Sequence, residues 1–194
     1  MKVCMEENWN TFIRKRLAGR IGEEDILEIA YLAQGAMNNP VKEVLYALLF
    51  DSDNRVAENA AWIFAHFDRT NNAWLYDRHD ALIDEAMRTP RIPKRRMLLS
   101  LLLRQPFSRE TIRTDFLDFC LERMMAAAEP VGIRAYCMKL AYLQCRFFPE
   151  LLCELRQALE IMEPEYLSPG LKVVRRNLLK EMATRKNNKT AVSE

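Results

Sequence analysis

Residues 51–67 read DSDNRVAENAAWIFAHF. An acidic turn leads into a helix with Ala60 and Ala61 at its middle. A carboxylate just before a helix accepts hydrogen bonds from the N–H groups that lack an intrahelical partner, and it suits the positive end of the helix dipole. Asp51 or Asp53 therefore caps the helix that follows. Small side chains at mid-helix let a neighbouring backbone come close. The stretch reads as the junction of a helical hairpin: VKEVLYALLF (41–50) is the first helix, 51–54 the turn, and 55–67 the second helix.

Outward from that junction the apolar spacing stays helical. Upstream it predicts a helix over about 7–17 and another over about 23–34, with Ile26, Ile29, Ala30 and Ala33 on one face and a stop at Gly35. Pro40 opens the next helix, a position that tolerates proline. Downstream the chain falls into further pairs: 73–88 with 93–104, 109–127 with 131–146, and 149–162 with 171–184. The second helices begin at Val56, Pro93, Ile133 and Leu171, spaced by 37, 40 and 38 residues. No alternating strand and no Asn-Gly or Asp-Gly hairpin appears. The class is all-α, with about ten helices.

A period near 40 residues built from two helices is that of HEAT and armadillo repeats. LLFDSDNRVAENAAWIF resembles a HEAT repeat junction, and VGIRAYCMKLAYL (131–143) is similar. PKRRMLLSLLL (93–103) and LKVVRRNLLKEM (171–182) match more loosely. The resemblance covers about residues 23–184 and implies a right-handed α-solenoid of HEAT-like hairpins. Two further comparisons concern chemistry. In architecture and size the chain is similar to DNA alkylpurine glycosylases of HEAT-like build, which act through aromatic residues and an Asp on a concave basic face. Trp9, Trp62 and Trp74 are present, but no motif carries those roles to numbered positions. RTPRIPKRRM (88–97) is a partial echo of the signature loop of the fumarase and adenylosuccinate lyase superfamily, without its serine run.

The 194 residues suffice for one domain with a sizeable core, placed at 1–184. RKNNKTAVSE (185–194) is polar and aperiodic and reads as a disordered tail. Apolar residues make up 49% and charged residues 29%, the balance of a globular chain rather than a disordered one. MKVCMEENWN has no signal-peptide core, and no run approaches the ~18 apolar residues of a membrane span. The five cysteines, Cys4, Cys120, Cys137, Cys145 and Cys153, show no C-x-x-C pair and mostly fall in apolar helical patterns. Buried reduced thiols and a cytoplasmic location are expected.

Catalytic signals are missing. Only His66 and His79 could act as imidazole bases. His79 lies among Asp77, Asp80, Asp84 and Glu85, which read as an acidic solvated helix face. There is no G-x-S-x-G and no glycine-rich phosphate loop. No catalytic residue, cofactor site or metal site is expected, and the chain reads as a non-enzyme.

Charge gives the one functional signal. Residues 1–87 hold 9 Lys+Arg against 15 Asp+Glu, and residues 88–194 hold 20 against 12. Cations recur near the start of each second helix: Arg55, then Lys94, Arg95 and Arg96, then Arg134, then Lys172, Arg175 and Arg176. If second helices line the concave face, these eight form a partner-binding stripe. The expected function is a non-enzymatic interaction scaffold that takes an acidic protein or peptide segment. The second reading is a nucleic-acid-binding or DNA-repair-like protein using the same stripe.

Overall fold

The computed structural model describes residues 2–190, with side chains for residues 9–184. Among them there is no strand. The helices are α1 (Lys2–Ala18), α2 (Glu23–Ala33), α3 (Asn39–Leu48), α4 (Asn54–Ala65), a single turn α5 (Arg69–Asn72), α6 (His79–Arg88), α7 (Ile92–Leu102), α8 (Thr114–Met125), α9 (Val131–Cys145), α10 (Pro149–Ile161) and α11 (Pro169–Thr190). Ten of them run ten residues or more, as the periodicity predicts. Contacts divide the chain into two compact units, Met1–Gln105 and Pro106–Glu194.

In the first unit α4 is the hub and packs on α1, α2, α3 and α7. Its sequence explains why. Asp53 caps it, with Oδ1 accepting the Arg55 N–H at 2.9 Å. Asp51 fixes the turn: its Oδ1 accepts the Asp53 N–H at 2.8 Å, and its two oxygens take Arg14 Nε at 2.8 Å and Nη2 at 3.1 Å. Ala60 and Ala61 are fully buried, so the close approach expected of them is realised. Val56, Ile63 and Phe64 fill the same core, joined by Ile13 and Leu17 of α1, Ile26 and Ile29 of α2, and Leu45 of α3. Gly35 ends the α2 region with φ +100°, a left-handed conformation open to glycine without strain.

In the second unit α9 is the hub, against α8, α10 and α11. Its core joins Phe116, Leu117, Cys120 and Met124 to Ile133, Cys137, Met138 and Leu140, with Leu155, Leu159, Leu171 and Leu178. Second helices thus pack on one another inside each unit, α4 on α7 and α9 on α11.

Four expectations shift. The helix expected over 73–88 is broken: α5 is followed by a 3-10 stretch at Ala73–Arg78 before α6. There the Trp74 carbonyl, which an α-helix would give to the Arg78 N–H, accepts the Arg78 guanidinium at 3.1 Å. The helix expected from 109 begins at Thr114 instead, because Ser108 and Thr111 close a turn, the Ser108 N–H donating to Thr111 Oγ1 at 3.0 Å. Backbone helix continues to Thr190, past the expected end at 184; the last four residues of the expected tail lie outside the described residues. Finally, Glu85 is not on a solvated face. It is 6% exposed and turned inward.

Candidate interaction surface

The third residue of each second helix sets the register. It is Val56 in α4, Ile133 in α9 and Leu171 in α11, all fully buried. In α7 the third residue is Lys94. The repeat anchor there is therefore Lys94 rather than Pro93, which is exposed. A lysine at an inward position must satisfy its ammonium internally. Lys94 does so through Glu85 Oε1 at 2.6 Å and through the Leu49 carbonyl at the end of α3. Glu85 also takes Arg88, whose side chain is largely exposed.

Three other cations of the eight are turned the same way. Arg95 Nε donates to the Ala86 carbonyl at 3.1 Å, and its Nη2 to that of Thr89, at the end of α6. Arg134 Nε donates to the Met124 carbonyl of α8 at 3.0 Å. Arg175 Nε donates to Leu159 O at 2.6 Å and Nη2 to Glu160 O at 3.3 Å, in the last turn of α10. Each sits near the N-terminus of its own helix, where a cation opposes the dipole, yet reaches the C-terminus of the preceding helix, where it is favoured. The last carbonyls of a helix have no intrahelical partner, and a guanidinium with five donors is suited to them. Arg104 does likewise for α4, donating to Ala65 O and Phe67 O at 2.9 Å each.

The remaining four of the eight point outward. Arg55, Arg96, Lys172 and Arg176 are exposed, and none has a side-chain hydrogen bond or ion pair among the described residues. Arg55 and Arg96 lie on the packed helices α4 and α7 of the first unit. Lys172 and Arg176 lie four apart on α11, and Lys180, also exposed, continues their row. Sequence reasoning passed over Lys180; the i, i+4, i+8 spacing on α11 is the signal that finds it. Like charges four apart cost an isolated helix ~0.2–0.5 kcal/mol per pair. The nearby Glu181 does not relieve them by an ion pair; its Oε1 accepts the Tyr142 hydroxyl at 2.8 Å.

The wider charge asymmetry depends on where the chain is cut. Divided at the unit boundary, residues 1–105 hold 15 cations and 15 anions, and residues 106–194 hold 14 and 12. Local rows, not a net field, carry the electrostatics.

Among the described residues no group of three or more His, Cys, Asp or Glu could hold a metal ion. His79 Nδ1 sits 2.6 Å from Gln105 Oε1. Cys120, Cys137 and Cys145 are buried and Cys153 is exposed, all as free thiols. Burial pushes the Cys120 thiol well above its ordinary pKa and that of Cys145 up to about 12. No helix among the described residues is long and apolar enough to cross a membrane.

A family model described as a HEAT repeat domain matches residues 13–182, and the chain belongs to that family. No curated protein and no solved structure matches. HEAT repeats commonly serve as protein-interaction scaffolds, and the family is typically non-enzymatic.

Proposed function

We propose that this HEAT repeat protein is a non-enzymatic scaffold that binds an acidic protein segment through the outward cations of its second helices. In the first unit the cations are Arg55 and Arg96, and in the second Lys172, Arg176 and Lys180; each set is a contact surface of its own unit. The observation that carries the reading is the row on α11: three exposed cations spaced by four residues, with no acidic partner among the described residues. Helical carboxylates spaced by four present the complementary row at the same ~6 Å rise. Arg134 and Arg175 play a different part and tie the hairpins of the unit that carries the row, as Lys94 and Arg95 tie those of the first unit. The free thiols fit the cytoplasmic setting that belongs to this reading.

The test is fluorescence anisotropy with a labelled peptide carrying Glu at every fourth position, alongside single-stranded and duplex DNA. Binding of the peptide that falls with salt, and drops about ten-fold or more in K172E/R176E/K180E, is the expected result. DNA binding that is tighter than peptide binding and depends on the same residues would overturn it in favour of nucleic acid. Absence of binding to every probe at low salt would overturn it as well.

A further inference from the structure

Six residues after the buried third residue of each second helix comes a place that is never buried. It is held by Trp62 in α4, Ser100 in α7, Lys139 in α9 and Asn177 in α11. Three of these four are polar, so the stacking of second helices does not call for an aromatic side chain there. The core face of α4 is made by Val56, Ala60, Ala61, Ile63 and Phe64. Trp62 lies outside it, in a stripe with Arg55, Asn59 and His66 whose three- and four-residue steps are those of one helix face.

Trp62 is half-buried, and among the described residues its one ring contact is His66, at 6.3 Å between centres. Its indole N–H has no hydrogen-bond partner there and is not sealed in the core. A buried indole ordinarily finds a partner for that N–H. Trp74 shows the covered case: the Arg78 guanidinium lies 3.6 Å from its ring centre, and the Phe64 ring stacks on it at 6.4 Å. The free charges beside Trp62 are cationic. Arg55 stands two turns before it on α4. Counted from the same third residue, Arg96 takes the place on α7 that Glu58 takes on α4, one turn before Trp62. Glu58 itself is ion-paired with Arg91. Since α4 packs on α7, the two unpaired cations and the indole belong to the outward side of one helix pair.

We infer that Trp62 anchors the first unit's contact surface, and that the acidic partner segment taken there carries an aromatic side chain beside its carboxylates. The inference rests on the scaffold reading above and names the partner chemistry of this one surface. The partner's ring lies against the indole, offset or edge-to-face, and its carboxylates meet Arg55 and Arg96. A large aromatic contact of this kind carries a dominant share of the energy of a small interface. Along α4 the rise from Arg55 to Trp62 is ~10 Å, and from the level of Arg96 it is ~6 Å. An extended segment covers those distances in about two to three residues. Two separate cations suit a pair of carboxylates; a nucleic-acid strand, with a phosphate at every nucleotide, calls for a continuous row.

The probes are acetyl-Glu-Glu-Ser-Phe-Ser-amide, the same peptide with Ala for Phe, the same peptide with Lys for both Glu, and a single-stranded oligothymidine. The readout is the indole N–H resonance of Trp62 in the full chain, resolved from those of Trp9 and Trp74. The Phe peptide should shift it and saturate, and the Ala peptide should bind about ten-fold or more weakly. W62S, which copies the residue of α7, should bind the two alike. R55A/R96A, altered only at exposed positions, should weaken the Phe peptide about five-fold or more. Equal affinity of the Phe and Ala peptides for the unaltered chain would overturn the inference, whether or not W62S folds, and would leave the scaffold reading standing. The Lys peptide binding as tightly as the Glu peptide would overturn it in favour of an apolar patch, and tighter binding of oligothymidine through the same residues in favour of nucleic acid. A Trp62 resonance unmoved by every probe would overturn it as well, while the row on α11 answers to its own peptide.

Discussion

The hairpins α6–α7 and α8–α9 solve one packing problem in two ways. At the third position of the second helix, α9 has Ile133 and α7 has Lys94, both buried. Ile133 needs only apolar neighbours. Lys94 needs Glu85 and the Leu49 carbonyl, so a charge pair stands in the core where its counterpart has a branched alkane. One position later the two agree: Arg95 and Arg134 both donate to carbonyls at the end of the preceding helix. The comparison separates a cation whose burial imposes a countercharge from a cation that serves as a cap. It also shows that a basic residue at a second-helix start is not by that fact available to a partner.

The largest effect expected concerns the buried pair. Glu85→Ala leaves the Lys94 ammonium without its carboxylate and should cost about 3–5 kcal/mol. Glu85→Leu with Lys94→Met removes both charges and should recover most of that loss, which chemical denaturation of the single and double variants measures. A double variant no more stable than Glu85→Ala would break the account of the pair.

Removing a cap costs less. Arg134→Ala and Arg175→Ala should each destabilise by about 1.5–3 kcal/mol, the range for a hydrogen bond with a charged donor. If Arg134→Ala cost as much as Glu85→Ala, the distinction between buried countercharge and cap would fall. The outward cations set the floor: Arg55→Ala, Arg96→Ala and Arg176→Ala should change stability by no more than about 0.5 kcal/mol.

Acid sharpens the contrast between the units. Asp51 is held below the usual carboxylate range by the Arg14 guanidinium, and Asp115 by that of Arg113. A depressed carboxylate contributes stability above its unfolded pKa and loses it as pH falls through the folded value. Asp51 joins residues 37 apart and its side chain is 12% exposed, whereas Asp115 joins residues two apart at 55% exposure. Thermal melts of Asp51→Asn should therefore show a flatter decline below about pH 4 than wild type, with Asp115→Asn close to wild type. The smallest effect is chemical. Cys153 should alkylate well before Cys120 and Cys145, whose thiolates are suppressed by burial.

The hairpin ladder was legible in the sequence because local signals agreed with the global pattern. Asp51 and Asp53 marked a turn, Ala60 and Ala61 a close approach, and Pro40 a helix start. The break at 73–78 was not legible: apolar spacing runs through it, and the Arg78 guanidinium that displaces a backbone bond leaves no trace in periodicity. Of the eight cations, sequence placed all on second helices, as found, but could not sort them. Which face a residue takes depends on register to within one position, and the anchor at Pro93 was one residue early. With Lys94 as anchor its burial follows directly. Trp62 was in plain view but its place was not: its level with Ser100 appears only when α7 is counted from Lys94.

The most direct test of the division among the cations is to follow the arginine side-chain Nε–H groups by NMR while adding the acidic peptide. Arg95, Arg134 and Arg175, tied to carbonyls, should show slow exchange with water and unmoved resonances. Arg55, Arg96 and Arg176 should exchange fast when free and shift on peptide addition. Peptide-induced shifts in all six, or uniformly fast exchange, would contradict the claim that half of this basic series builds the protein and half serves its partner.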